Sequence, residues 1–307
     1  MMNQSRFLRL ALLMNGIFSG FSGLALTFQV GQISDWIGFS YHSMVLTGIG
    51  FGLMLFSIEL FIQASQKRMQ TWRSLLASFS DFLWLVATLV VLFFFPNLFN
   101  ATGHTTIIGI CTIVLFLGLM QIIGINRYHK VGGSNFYRHC LQIESFLDPK
   151  TLWTIIGDLG EIQKYMPSLK ESKILENKNS EIGCIRQCTD IQGNSWSEEC
   201  ISYNSDQSFQ VKFLTKKEGF PFPAQEMIGG WEIQPTKNNA SIVKIWWELV
   251  PNNPKLSWLL LPILGMKADK DFQKIIRNME LSTIDIKNKR KIVNKNRLKG
   301  KLLPTFC

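Results

Sequence analysis

Four long apolar runs dominate the first 130 residues and constrain the fold more than any other feature of the sequence. Each is about as long as the roughly 20 residues that a helix needs to cross the hydrocarbon core of a bilayer. The first run is too long for the apolar core of a secretory signal peptide, and three more follow it. We therefore predict four transmembrane helices, at about Phe7–Val30, Met44–Ser65, Ser74–Phe95 and Thr105–Ile125.

Lysine and arginine in the short loops predict the orientation of these helices. The loops at 31–43 and 96–104 contain neither residue type, whereas the N-terminus, the remaining loop and the segment after the fourth run do. Cytoplasmic loops carry an excess of Lys and Arg, so we expect a multi-pass protein of the plasma (inner) membrane with both termini in the cytoplasm. The flanking basic residues are Arg6, Arg9, Lys67, Arg68, Arg73, Arg127 and Lys130.

Polar side chains inside the apolar runs are a second candidate feature. Glu59 and Asp81 are predicted at matching depths, about two turns from the cytoplasmic ends of their helices, and Asn15 and Gln121 fall in the same leaflet. Intramembrane acids are costly and often functional, which favours a proton or ligand role. A polar cluster that holds the helices together, with Arg9 as a partner, explains the same residues. The sequence leaves both interpretations open.

The basic character of the chain is confined to two places. Residues 1–130 contain 7 basic residues (Lys or Arg) and 3 acidic residues (Asp or Glu). Residues 131–286 contain 17 basic and 19 acidic residues, and residues 287–307 contain 8 basic residues and no acidic ones. This placement beside apolar helices suits an anionic membrane surface rather than nucleic acid. We expect residues 287–307 to be a disordered basic tail that either contacts anionic lipid of the inner leaflet or only keeps the chain soluble.

Neither a metal nor a cofactor is expected. The six cysteines include no CxxC pair, and the soluble half has a single histidine, His139. Cys184 and Cys188 share one face of a predicted strand, but a metal site would need more ligands nearby. Half-buried thiols, kept reduced in the cytosol, explain these residues better.

The pattern changes after Gly132–Gly133. A predicted strand at 137–146 leads to Asp148-Pro149, which is typical of a helix start because Asp is a good N-cap and Pro suits the first turn. Short turn-rich connections then predict an antiparallel meander, and 256–284 has the spacing of a long helix. The strands of the meander are predicted at Ser172–Glu176, Cys184–Ile191, Trp196–Tyr203, Phe209–Thr215, Glu226–Gln234 and Ser241–Val250.

Alternation along the later strands predicts one apolar face of the sheet, turned towards an apolar stripe on the C-terminal helix. A curved antiparallel sheet around one long helix is a helix-grip architecture. We therefore expect a four-helix membrane bundle at 1–130, an α+β helix-grip domain at 135–286 and the tail at 287–307. The larger apolar residues on these faces are Phe209, Phe213, Met227, Trp231, Trp247 and Phe272.

The soluble half resembles the START-like SRPBCC superfamily, in particular its polyketide cyclase/dehydrase and lipid-transport branch. The resemblance covers about Phe136–Ser282 and rests on the order of strand, helix, short helix, six-strand meander and long helix. The membrane half resembles small bacterial four-helix membrane proteins of unassigned role. The local cues are Asp148-Pro149 with Trp153, Asp158 through Pro167, Gly183 with Arg186, Gly193, Glu198-Glu199 and Trp247.

The resemblance implies an apolar cavity between the sheet and the long helix, which binds lipids, sterols, hormones or polyketides in most members. It implies no catalytic residue, because the superfamily shares no single catalytic motif. Arg186 and Glu198 flank one hairpin and form either an inward ion pair that orients a ligand or a pair on the solvent face. Trp231 and Trp247 either line the cavity or pack as core.

Three functions follow as hypotheses. The preferred one is a membrane-tethered domain that binds a hydrophobic ligand at the cytoplasmic face. The loops at 191–194, 219–223 and 251–254 would frame the pocket entrance, and the aromatic residues of the last two either contact the bilayer or simply close the core. The alternatives are a cyclase/dehydrase-type enzyme acting on a membrane-soluble substrate and a small transporter with a regulatory ligand-binding domain. Acid–base groups inside the cavity would favour the enzyme, and a path joining Glu59 to Asp81 would favour the transporter.

Overall fold

The computed structural model describes residues 2–39, 43–175, 179–216, 219–287 and 301–303. The chain divides into two compact units. The first contains the chain up to His129 together with Trp258–Pro262, and the second contains Lys130–Ser257 and the chain from Ile263 onwards.

The first unit is built from helices. Four of them, α1, α3, α4 and α5, are long and apolar enough to cross a membrane, which confirms the four predicted helices. A short helix, α2, lies where the sequence predicted a loop, and it ends at Gly38 in the left-handed conformation. The bounds are α1 Met2–Phe28, α2 Val30–Ile37, α3 Ser43–Ser65, α4 Thr71–Phe94 and α5 Ala101–His129, with a 3₁₀ turn at Pro96–Leu98.

Small residues let α1 and α3 pack closely. A Cβ added at Gly23 would lie 2.7 Å from the Gly50 carbonyl oxygen, and one added at Gly50 would lie 2.9 Å from the Gly23 carbonyl oxygen. Ser57 donates a hydrogen bond to the Gly16 carbonyl oxygen at 2.7 Å. Because lipid is as apolar as Leu, such close contacts and interhelical hydrogen bonds hold membrane helices together.

Arg9 lies at the C-terminal end of α3. Its guanidinium donates to the carbonyl oxygens of Ala64, Gln66 (2.5 Å) and Lys67 (3.1 Å). The last carbonyls of a helix have no partner within the helix and carry partial negative charge, so they attract a cation. The sequence-based interpretation of Arg9 as a partner of the membrane acids is therefore replaced by a capping role.

The second unit is an antiparallel sheet with helices α6 and α7. Its strand order is β2-β3-β4-β5-β6-β7-β1-β8, so successive strands from β2 to β7 are neighbours, as expected of a meander. The strands are β1 Tyr137–Ser145, β2 Leu169–Ile174, β3 Ile185–Asp190, β4 Ser195–Asn204, β5 Ser208–Phe213, β6 Ala224–Pro235, β7 Ser241–Pro251 and β8 Lys301–Leu302. The helices are α6 Pro149–Ile156 and α7 Ser257–Lys287, with 3₁₀ turns at Ile162–Lys164 and Pro254–Leu256.

Local sequence signals set several boundaries of this unit. The Asp148 carboxylate accepts the backbone N–H of Thr151 at 2.9 Å, so the predicted N-cap of α6 is confirmed. The turn between β3 and β4 contains Gly193 at φ 92°, and the turn between β6 and β7 contains Asn239 at φ 56°. Glycine and asparagine adopt this left-handed conformation at the lowest cost.

The core lies between the inner face of the sheet and helices α6 and α7. Alternate residues of β1 and β7 are buried, and they meet Ile275, Ile276 and Met279 of α7. A sheet with one buried face and one long C-terminal helix has the helix-grip arrangement predicted from the sequence.

The end of the chain adds a short strand to this sheet. In β8, Lys301 and Leu302 pair antiparallel with Glu144 and Ile143 of β1, and the Leu303 N–H donates to the Gln142 carbonyl oxygen at 2.8 Å. The expectation of a disordered tail is therefore corrected at residues 301–303, where pairing satisfies backbone groups of the β1 edge. Residues 288–300 and 304–307 of the predicted tail lie outside the described residues.

Candidate functional site

Arg186 of β3 and Glu198 of β4 form an ion pair on the inner face of the sheet. The two residues occupy directly paired positions in the register, and Arg186 Nη2 donates to Glu198 Oε2. Their side chains are only 11% and 5% exposed. Of the two orientations left open by the sequence, the structure therefore has the inward one.

Two further groups bond this pair directly. Arg186 Nη1 donates to the Leu159 carbonyl oxygen at 3.2 Å, and the Trp196 indole N–H donates to Glu198 Oε1 at 2.6 Å. Ser172 also donates to the Leu159 carbonyl oxygen, at 3.2 Å. Among the described residues, no partner is found for the buried Arg186 Nε. The pair thus keeps one unused hydrogen-bond donor in the interior.

The charges of this pair act on the thiols beside it. Burial would lower the pKa of Arg186, but the Glu198 carboxylate and Cys188 outweigh it, so the pKa lies above its ordinary value. Burial, followed by the Glu198 charge, raises the pKa of Cys188 to about 11. Burial likewise raises the pKa of Cys200 to about 11. Both thiols are therefore protonated at neutral pH and poor nucleophiles.

An aromatic cluster adjoins the ion pair at one end of the sheet. Phe222 lies in the 219–223 loop, and its ring centroid is 5.3 Å from that of Trp196 and 5.9 Å from that of Phe213. Phe220 of the same loop packs edge-on against Phe213 at 6.3 Å and Phe222 at 5.4 Å. Since Trp196 also bonds Glu198, the loop that was expected at the pocket entrance is connected to the ion pair by direct contacts.

The remaining predicted aromatic residues form a second group farther along the sheet. Trp231 stacks on Phe209 at 6.3 Å and meets Phe272 of α7 edge-on at 5.4 Å. Phe209 is buried, whereas Trp231 and Phe272 are partly buried and pack on the core. Met227 lies on β6 opposite Leu249 and is partly buried. Phe209, Trp231 and Phe272 therefore contact one another across the sheet and α7.

Trp247 contacts a His139–Asp269 pair that the sequence analysis did not predict. Its ring stacks on His139 of β1 at 5.3 Å, and His139 Nε2 lies 2.9 Å from Asp269 Oδ1 of α7. A Cβ at Gly265 would lie only 2.7 Å from His139 Nδ1, so glycine makes room for the imidazole. The side chains of His139 and Asp269 are 9% and 17% exposed. Their separation of 130 residues explains why no local pattern indicated the pair.

An open cleft of 470 Å³ lies near α6. The Trp153 and Tyr203 rings are 5.4 Å apart in its wall, and the Tyr203 hydroxyl donates to the Gly157 carbonyl oxygen at 3.2 Å. None of the predicted ligand-binding residues lines it. Its lining residues are Trp153, Thr154, Gly157, Asp158, Ile174, Asn179, Ser180 and Tyr203.

The structure divides the predicted membrane polar cluster into two groups. Asn15 of α1 and Gln121 of α5 both donate to Asp81 of α4, at 2.8 and 2.9 Å. Glu59 instead accepts a bidentate pair of hydrogen bonds from Arg73, from Nε to Oε1 at 3.0 Å and from Nη2 to Oε2 at 2.7 Å, and a further one from Gln63 Nε2 at 3.0 Å. Glu59 and Asp81 thus have separate partners, although their predicted depths match.

The described residues contain no group of three or more His, Cys, Asp and Glu side chains that could hold a metal ion. Cys111, Cys184, Cys188 and Cys200 are buried free thiols. Among the described residues, the chemical groups on the inner face include the Arg186–Glu198 ion pair, the His139–Asp269 pair and the hydrogen-bonded Glu280.

No protein-family model matches the chain, and no curated protein is similar to it at a significant level. Three solved structures are similar over about half of it, each matched over nearly its own full length. XoxI from Bacillus cereus is 16% identical and covers 49% of this chain and 98% of its own, with a TM-score of 0.39. An uncharacterized protein from Bacillus thuringiensis is 17% identical and covers 46% of this chain and 98% of its own, with a TM-score of 0.39. Ara h 8.0201 is 13% identical and covers 49% of this chain and 99% of its own, with a TM-score of 0.38.

Proposed function

We propose that the soluble unit binds a hydrophobic ligand, such as a lipid, isoprenoid or polyketide-like molecule, at the cytoplasmic face of the membrane. The observation that carries this proposal is the Arg186–Glu198 pair, which lies buried among the apolar residues of the sheet's inner face. Ligand sites are typically apolar surfaces with a few polar groups that orient the ligand. The pair supplies such groups.

The chemistry of the pair indicates the class of ligand. A buried donor without a partner costs free energy, and Arg186 Nε is such a donor among the described residues. An oxygen of a carboxylate, carbonyl or hydroxyl group would satisfy it. The ligand would therefore be amphipathic, with an apolar body and a hydrogen-bond-accepting head.

The aromatic cluster supports an entrance beside this anchor. Phe220 and Phe222 are partly buried and contact each other, Phe213 and Trp196. Rings held in a short loop form a cover that can move without unfolding the strands. In this proposal the 219–223 loop opens to admit the ligand head towards Glu198 and Arg186.

The membrane helices and the basic tail would keep this domain at the inner leaflet. The lysine and arginine asymmetry predicts that the domain is cytoplasmic. Each basic residue of 287–307 held near an anionic leaflet contributes on the order of 1 kcal/mol. Tethering raises the effective concentration of the domain at the bilayer in which a hydrophobic ligand dissolves.

A cyclase/dehydrase-type enzyme acting on a membrane-soluble substrate is the second candidate, and the His139–Asp269 pair favours it. A carboxylate that holds an imidazole in place is a common arrangement for general acid–base catalysis. Replacing His139 with Gln distinguishes the two functions. Turnover of the bound compound would be lost in an enzyme, whereas a binding protein would retain the same compound unchanged.

Mass spectrometry of compounds that copurify with the full-length protein tests the proposal. We expect a hydrophobic species enriched over the bulk membrane lipids, and we expect Arg186→Met to lose it. Lys244→Met is the matched control, because Lys244 forms a partly exposed cross-strand pair with Glu232. Bulk lipid alone on the wild-type protein, or equal retention by Arg186→Met, would contradict the proposal.

A further inference from the structure

Asp81 is a membrane carboxylate held by neutral side chains. It is 5% exposed, and its Oδ2 atom accepts both amide hydrogen bonds, from Asn15 at 2.8 Å and from Gln121 at 2.9 Å. Asn15 is fixed in turn by Ser19, whose hydroxyl donates to Asn15 Oδ1 at 3.2 Å. The donors come from α1 and α5, so three helices meet at this carboxyl group.

Within the described residues, no Lys, Arg or His contacts Asp81. Arg6 of α1 is exposed, His104 of α5 lies 2.8 Å from the Pro96 carbonyl oxygen, and the other cationic groups on the helices around Asp81 have partners elsewhere. On α1, Arg9 bonds the end of α3; on α3 and α4, Glu59 and Arg73 bond each other; on α5, Arg127 lies over the Phe7 ring and His129 meets Thr71. Burying an ionised carboxylate without a cation is strongly unfavourable, more so in lipid.

Gln121 has a buried oxygen atom that lacks a hydrogen-bond donor among the described residues. Its side chain is 0% exposed, and its Oε1 atom is buried with no hydrogen-bond partner among the described residues. Rotating the amide by 180° would not help, because it would remove the N–H donor from Asp81. The buried Gln121 carbonyl oxygen therefore requires a donor that an ionised Asp81 cannot provide.

We propose that Asp81 and Gln121 form a proton-binding site inside the membrane bundle. When Asp81 holds a proton, its O–H donates to Gln121 Oε1 while the Gln121 N–H donates to Asp81 Oδ2. This closed acid–amide pair satisfies both groups and removes the buried charge. The proton comes from water and returns to it, so the step needs no other reactant. Glu59 does not share this property, because Arg73 neutralises it.

Infrared spectroscopy of the full-length protein in lipid nanodiscs tests the site directly. A protonated carboxyl group has its own C=O stretching band, which shifts when H₂O is replaced by D₂O. We expect such a band in the wild-type protein at neutral pH, and its loss in Asp81→Asn. We expect Gln121→Leu to shift the band, because the O–H loses its acceptor. Glu59→Gln is the matched control and should leave the band unchanged.

Three results would overturn the proposal. The first is that the wild-type spectrum has no carboxylic-acid band, or has one that persists in Asp81→Asn. The second is a band that Gln121→Leu leaves in place, since Gln121 would then not be the acceptor. The third is a band that sodium removes but choline does not, because the oxygens would then hold a metal cation in place of a proton. If Asp81→Asn fails to fold, the shift in Gln121→Leu decides the matter.

Discussion

Arg186 and Glu198 are directly opposite each other on β3 and β4, and their charges meet on the buried side of the sheet. Trp196 and the Leu159 carbonyl oxygen complete their hydrogen bonds, except at Arg186 Nε. Coulombic attraction in the interior offsets the desolvation of such a pair only when both partners are present. The intact pair is therefore needed for the stability of the fold, and its unused Nε donor is the group that the proposed ligand would bind.

Truncating Arg186 alone should be strongly destabilising. Arg186→Met leaves the Glu198 carboxylate buried without its cation, which costs about 3–5 kcal/mol of unfolding free energy. The double variant Arg186→Met/Glu198→Leu should recover much of this loss, because no charge is then buried. Urea denaturation of the detergent-solubilised protein measures both. The partly exposed Lys244–Glu232 pair is the control, and Lys244→Met should cost no more than about 1 kcal/mol.

Glu280 of α7 should make stability depend on pH. Burial raises the pKa of Glu280 above its ordinary 4.5, against hydrogen bonds from Ser145 and the Phe146 N–H and the charge of Arg277. A raised pKa means that the stabilisation is fully present below pH 4.5 and is lost as the pH rises through the folded-state pKa. Glu280→Gln should therefore gain stability relative to wild type as the pH increases above 4.5. Paired denaturation curves across this range check it, and a constant difference would contradict it.

Gly265 should be required for the placement of His139. A Cβ at Gly265 would lie 2.7 Å from His139 Nδ1 and 2.8 Å from Cε1, so either the ring must leave its position beside Asp269 and Trp247 or the helix must shift. We expect Gly265→Ala to cost about 1–3 kcal/mol, although Ala favours a helix. Gly132→Ala is the control, because nothing lies within 4 Å of an added Cβ there. Thermal unfolding and the imidazole NMR signals of His139 provide the measurements.

The close contact of α1 with α3 should be sensitive to one methyl group. An added Cβ at Gly23 meets the Gly50 carbonyl oxygen at 2.7 Å, whereas an added Cβ at Gly48 meets nothing within 4 Å. Gly23→Ala should therefore separate the helices and cost about 1–3 kcal/mol. Gly48→Ala should be neutral or slightly stabilising. Thermal stability in detergent compares the two, and equal effects would mean that the close approach is not what holds the helices.

Both termini should lie in the cytoplasm, because the flanking lysines and arginines fall on one side of the four helices. Epitope tags placed before Met1 and after Cys307 should be protected from protease in intact cells and become accessible after permeabilisation. A tag inserted in the 96–104 loop should behave in the opposite way. Cleavage of either terminal tag in intact cells would contradict the predicted orientation.

The elements of this protein could be predicted from its sequence because they depend on local patterns. Apolar length alone determines which segments can cross a bilayer, and the apolar runs at all four positions form helices of the required length. The period of two along Val243, Ile245 and Trp247 identifies a strand with one buried face, and Asp148-Pro149 marks the start of α6. These signals involve neighbours within a turn or a strand, where sterics and hydrogen bonding act directly.

Only the tertiary structure decided which distant groups meet. Alternation placed Arg186 and Glu198 on a common face but left open whether that face was buried, which depends on how the helices cover the sheet. Matched depth in the sequence did not bring Glu59 to Asp81, since Glu59 binds Arg73 and Asp81 binds Asn15. Such contacts join residues far apart in the chain, and only the packing of whole elements brings them together.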